Sequence, residues 1–273
     1  MISIDISGER ILPGEAYLGD TPVLRGHAGT QPDLFLRWNE IPLAADAVDV
    51  AVHLHGFSQQ GGAMPLAEKV ARSGIELSGR PRPTLAILPR GNWIRHTWYD
   101  FPALLDGGID RLVDYVLERF AERFAPDRGL AVDRFILSGH SGGGMPAIDA
   151  IAGARRPPDE LFVFDGLYGR DPRAGDPMQG IEVVDQWLHR RLTLEPQRPG
   201  ALRIVYIERQ TGPFSRAVAE LIARHLAAAP DMAANLAPRY RVEPSGVPHA
   251  YVAAICGPQL LARPDAEFDW LRI

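Results

Sequence analysis

The sequence predicts an α/β fold: a mostly parallel, twisted sheet with helices on both faces and antiparallel strands at its N-terminal edge. Three observations carry that expectation. Short apolar runs recur along the chain, and most are followed by a stretch whose apolar residues repeat at helical spacing. The run "VDVAVHLHGF" (48–57) is nearly continuous and ends at glycine and phenylalanine, as a strand buried on both faces does. The stretch "RFILSGHSGGGMP" (134–146) passes from apolar chain into small residues and on into a helix pattern without an ordinary turn. Such alternation calls for parallel strands joined by helical crossovers.

The elements follow in order. "MISIDISGERIL" and "DLFLRWNEI" alternate apolar and polar residues and read as amphipathic strands at the sheet edge. After the strand at 48–57, "PLAEKVARSG" reads as a helix with proline in its first turn and Gly74 beyond its end. "TLAILPR" (84–90) is a strand, and Ile109, Leu112, Val113, Val116, Leu117, Phe120 and Phe124 then form one apolar helical stripe. "RFILSG" (134–139) leads into a helix to about residue 153, "LFVFDG" (161–166) into a helix over 181–192, and "LRIVYIE" (202–208) into a helix over 215–227. "RYRVEP" (239–244) is the last strand, with a helix near 250–262. No repeat or linker divides the chain, so residues 1–273 are expected to form one domain.

Composition narrows the function classes. Apolar residues make up 46% and charged residues 23%, near the globular average. A net charge of −5 and the lack of any basic run argue against nucleic acid, which needs clustered cations facing its phosphates. Lys69 is the single lysine, so arginine carries nearly all the positive charge. Cys256 stands alone, which excludes an intrachain disulfide and a cysteine-based redox or zinc site. The opening "MISIDISGER" lacks a charged region followed by an apolar stretch, and no apolar run approaches the ~18 residues of a membrane span. A cytoplasmic protein is therefore expected. A secreted form with a trimmed leader and a homodimer both stay open.

Ligands of parallel sheets bind at the carboxyl ends of the strands, and Ser141 sits at one of them. Gly139-His140-Ser141-Gly142-Gly143 is a G-x-S-x-G pentapeptide between a strand and a helix, the context in which a serine is held exposed on a strained turn. A serine hydroxyl needs an adjacent base at neutral pH, and eight histidines compete for that role. His189 and His225 lie among arginines on amphipathic helices, His27 lies in the edge region, and His140 is the variable residue of the turn. His53 and His55 share a strand face, but no third ligand accompanies them, so no metal is expected. His249, in "EPSGVPHAYV" after the last strand, is the best base by position. The carboxylate that orients it has two candidates at strand ends. Asp165 closes "LFVFD", and is favoured because an aspartate after four apolar residues needs a partner; Glu208 closes "LRIVYIE" and is the alternative.

These residues resemble the α/β-hydrolase superfamily from about residue 48 onward, with the order serine, acid, histidine of its esterases and lipases. The resemblance implies a triad of Ser141, His249 and an acid. Most members place that acid where Glu208 falls, some lipases where Asp165 falls. "FDGLYG" also looks like a segment of bacterial hydrolases of the superfamily. His-Gly-x in "HLHGF" is similar to the family's oxyanion loop, implying that the backbone N–H groups of Phe57 and Gly142 face the tetrahedral oxygen.

Two loops are expected to shape a pocket. "PRGNWIRHTWYDFP" (89–102) offers Trp93, Trp98, Tyr99 and Phe101, and "YGRDPRAGDPMQG" (168–180), too short for a large cap domain, offers Tyr168. Arg95, Arg170 and Arg173 are candidates for an anionic group, or solvated side chains. The resulting expectation is a serine esterase without cofactor, acting on a small-molecule ester. Amidase or peptidase and acyltransferase activity would use the same triad, and a non-catalytic protein on this fold is the remaining alternative.

Overall fold

The computed structural model describes residues 2–57, 64–93, 99–168, 180–195, 197–198 and 200–272. Its centre is an eight-stranded sheet: β1 (Gly14–Leu18), β2 (Leu34–Trp38), β3 (Ala47–Leu54), β4 (Thr84–Pro89), β5 (Ala131–His140), β6 (Glu160–Phe164), β7 (Ala201–Tyr206) and β8 (Tyr240–Pro244). The spatial order is β1-β2-β4-β3-β5-β6-β7-β8. The six strands from β3 to β8 run parallel, while β2 is antiparallel to β4 and β1 to β2.

The helices are α1 (Leu66–Ser73), α2 (Gly108–Ala121), α3 (Gly144–Ala152), α4 (Ile181–His189), α5 (Glu208–Ala227), α6 (Pro230–Leu236) and α7 (Val252–Ala262). They cover both faces, because the period-2 alternation of the strands supplies two apolar surfaces. Val48, Val50, Val52, Phe135 and Leu137 face one core with the apolar stripes of α2, α3, α4 and α5. Ala51, Ile136, Phe162 and Phe164 face the other, with Leu66 of α1 and Val252, Cys256 and Leu260 of α7. Fully burying each large side chain contributes roughly 1.5–3 kcal/mol, and Phe35, Phe120, Phe135 and Phe162 have no exposed surface worth naming. Among the described residues no helix is long and apolar enough to cross a membrane.

Three expectations need correction. "MISIDISGERIL" does not join the large sheet: Ile6–Ser7 and Arg10–Ile11 form a separate antiparallel sheet with Ile41–Pro42. The true edge strand is β1, and β2 lies inside it, paired on both sides. At the other end of the chain, β7 stops at Tyr206, and Glu208 opens α5 instead of closing the strand.

Register is what positions the site. Gly139 of β5 lies opposite Leu54 of β3 and Val163 of β6, and His140 lies opposite Phe164. The chain beyond these three ends therefore emerges side by side: Ser141 in the middle, His55–Phe57 on one flank, Asp165 on the other.

Candidate active site

Between β5 and α3 the chain makes a single tight turn, Ser141–Gly143. Ser141 has φ +53°, a left-handed conformation that costs a non-glycine residue on the order of 1–3 kcal/mol and that surrounding structure must impose. The imposition is steric. A methyl group on Gly143 would sit 2.1 Å from the Leu54 carbonyl oxygen, so the turn can close on β3 only without a Cβ there. The turn carries Ser141 past the end of β5, at the start of the segment leading into α3.

That hydroxyl donates to His249 Nε2 at 2.8 Å. His249 begins a short turn of helix, His249–Tyr251, entered through Pro248 after β8. Its Nδ1–H donates to Asp165 Oδ2 at 2.6 Å, and the side chain is 30% exposed while that of Asp165 is 0% exposed. Asp165, itself at φ +45°, still pairs with β7 through its N–H and the Val205 carbonyl at 2.7 Å. Its Oδ1 accepts the Ile207 N–H at 2.9 Å and the Thr211 hydroxyl. Burial works to raise the carboxyl pKa; the hydrogen bonds from His249, Thr211 and Ile207 outweigh it and hold the group below the usual carboxylate range.

No family model matches the chain, and no curated protein matches it significantly. Solved structures do. The fluorophosphonate-binding serine hydrolase F of Staphylococcus aureus, solved with substrate bound, is similar with a TM-score of 0.52 and 10% identity over 94% of this chain and 100% of that one. The chain has the α/β-hydrolase fold. An S-formylglutathione hydrolase from Agrobacterium tumefaciens matches with a TM-score of 0.47 and 10% identity, covering 97% of this chain and 98% of that one. An α/β serine hydrolase without lid from Xanthomonas campestris gives 0.40 and 13%, with 93% of each chain covered. At 10% identity, what the chain shares with the Staphylococcus aureus hydrolase is the fold.

Within this α/β-hydrolase fold the two acid candidates separate cleanly. Asp165 reaches His249, whereas Glu208 is exposed on the first turn of α5 and pairs with Arg216. The strand end where Glu208 was expected contributes differently: its neighbours Ile207 and Thr211 are the groups that hydrogen-bond the Asp165 carboxylate. Neither was singled out from the sequence. A threonine one turn into a helix that was expected to start at 215 carries no recognisable signal.

Gly142 and Phe57, the candidate oxyanion residues, lie close together: a methyl group on Gly142 would lie 3.5 Å from the Phe57 backbone nitrogen. Tyr168 is 40% exposed, with its hydroxyl 3.5 Å from His249 Nε2. Burial raises its phenol pKa, a hydrogen bond with Ser141 working against that rise. Trp93 is half-buried and packs on the first core, in a two-stranded ribbon, Asn92–Trp93 with Tyr99–Asp100; the second of these strands lies against the Ser141–Gly143 turn. Trp98, Arg95, Arg170 and Arg173 lie outside the described residues.

Five other histidines among the described residues have partners of their own. His140 Nε2–H donates to the His249 carbonyl at 2.8 Å, tying the serine turn to the base's own loop. His53 Nδ1 meets the Ser138 hydroxyl at 2.9 Å, and His55 Nε2 accepts the Gly91 N–H at 3.0 Å. His27, in the segment between β1 and β2, is buried: it donates to the Arg90 carbonyl at 2.8 Å and accepts from Ala103 N–H at 3.1 Å. His225 pairs with Asp185 at 2.7 Å, between α5 and α4.

Proposed function

We propose that the chain is a serine hydrolase that cleaves carboxylic esters through an acyl-enzyme. The single observation that carries this reading is the continuous hydrogen-bonded series from Ser141 through His249 to Asp165, with the hydroxyl on a strained turn between strand and helix. In this reading His249 Nε2 takes the hydroxyl proton as Ser141 Oγ attacks the ester carbonyl. Ionised Asp165 fixes the tautomer and stabilises the imidazolium. The negative charge that develops on the carbonyl oxygen is met by the N–H groups of Phe57 and Gly142 and by the N-terminal end of the segment leading into α3. The alcohol leaves with the proton from Nε2, and water, activated by the same histidine, releases the acid.

The test is hydrolysis of a short-chain nitrophenyl ester, together with labelling by a fluorophosphonate. Wild type is expected to turn over and to be labelled at Ser141, and Ser141→Ala to lose labelling and at least ~10³-fold in kcat. Equal rates for the two proteins would overturn the reading. A matched anilide in the same assay separates ester from amide preference.

A further inference from the structure

Lys69 is the single lysine of the chain, yet it is buried. On α1 it shares the inward face with Leu66 and Ser73, the positions three before and four after it. Its Nζ donates to the Gly56 carbonyl oxygen at 2.7 Å. The same oxygen faces His55 Nδ1 at 3.1 Å; because His55 Nε2 accepts from Gly91, Nδ1 carries the proton, and the carbonyl receives two donors, one of them a cation.

That carbonyl is not an arbitrary acceptor. Gly56 C=O and Phe57 N–H are the two ends of one planar peptide unit and point in opposite directions. A methyl group on Gly56 would lie 2.7 Å from Ser141 Cβ, so the unit runs directly beside the serine. Holding the oxygen toward Lys69 therefore directs the N–H toward the side of the reacting carbonyl, and a charge-assisted bond at one end of a peptide strengthens donation at the other. A flipped peptide would instead present the carbonyl oxygen to the developing anion, a repulsive contact.

We propose that Lys69 is a positioning residue for the oxyanion site: its ammonium group locks and polarises the Gly56–Phe57 peptide. The inference rests on the serine-hydrolase reading above, and Lys69 itself touches no reacting atom. Charged or titratable neighbours come from several elements: Glu68 and Arg72 on α1, His55 after β3, and His140 at the end of β5. Burial first, then Arg72, pushes the Lys69 pKa down to about 8, with Glu68 opposing. The ammonium form is thus lost in an accessible alkaline range.

A chain with one lysine makes the test direct. Wild type grown on ¹³Cε-lysine gives one lysine resonance, expected to titrate near pH 8, to move when a boronic acid forms a tetrahedral adduct on Ser141, and to share its pKa with an alkaline fall in kcat. Lys69→Met, which keeps the apolar stem, is expected to lower kcat roughly 10- to 100-fold, less than outright loss of an oxyanion donor. KM should stay within about twofold and the alkaline fall should vanish. Unchanged kcat in a folded Lys69→Met overturns the inference. So does a wild-type kcat that stays flat through the lysine titration, an outcome that decides the matter even if the variant does not fold. Wild type that neither hydrolyses the ester nor reacts with fluorophosphonate would instead sink the serine-hydrolase reading, so the two failures are distinct.

Discussion

Asp165 has no exposed surface, but its carboxylate is held ionised because all its partners are donors: His249 Nδ1–H on one oxygen, the Ile207 N–H and Thr211 hydroxyl on the other. An amide at this position would keep the shape while offering its own N–H to a neighbour that also donates, turning the imidazole toward the wrong tautomer. Asp165→Asn is therefore expected to cost kcat on the order of 10⁴-fold with little change in KM. Glu208→Gln, at an exposed pair with Arg216, should stay within about twofold, since such surface pairs contribute little. Steady-state kinetics on the two purified variants decides between them, and a dead Glu208→Gln beside an active Asp165→Asn would reverse the assignment.

At the scale of elements, what the site requires is that α3 start close to the sheet. Gly143 has no room for a methyl group against the Leu54 carbonyl, so Gly143→Ala must push the turn off β3. Overpacking of this kind costs roughly 1–3 kcal/mol, and a fall in Tm of about 2–4 °C for each kcal/mol is expected in a chain of this size. Calorimetry checks it; an unchanged Tm would mean the turn has slack that the geometry denies. The same tightness explains why this part of the molecule could be read from its sequence. Four glycines around one serine, between an apolar run and a helix pattern, leave few conformations open, with Asp165 at a strand end and His249 in the loop after the last strand. Elsewhere the local pattern was ambiguous. "MISIDISGERIL" alternates as an edge strand would, but its partner is Ile41–Pro42, a distant pairing that no local periodicity encodes. Helix α5 was expected to begin after Pro213, yet the chain keeps that proline inside the helix and starts at Glu208. Tertiary packing of Phe214 and Val218 on the core outweighs the lost backbone bond. Thr211 and Lys69 act only through contacts between elements, which leave no trace in spacing.

Over the whole molecule, the sheet's carboxyl edge and the loops beside it enclose a group of buried histidines, and this makes stability depend on mild acid. Burial, together with the nearby His140, pushes His53 down to about 3; burial is also the largest influence on His140, which falls to about 4 despite its bond to the His249 carbonyl. Burial lowers His27 and His55 as well, the latter strongly. In the unfolded chain each would protonate near 6.5, so between that pH and the folded values the unfolded state binds more protons, and stability falls as pH falls. From pH 7 to pH 5 linkage gives about 2 kcal/mol for each of His53 and His140, about 4 kcal/mol for the pair. Two buried carboxylates bear on the balance. Asp165, with its lowered pKa, keeps its full contribution at pH 5 and loses it only further down. Glu160, raised by burial, binds its proton more readily when folded and opposes the loss, one group against four. The net expectation is a Tm lower by on the order of 10 °C at pH 5 than at pH 7, at 2–4 °C per kcal/mol. His140→Gln, which removes one of the four histidines, should shrink that difference, and a Tm unchanged between the two pH values would show that the buried rings find compensation as cations.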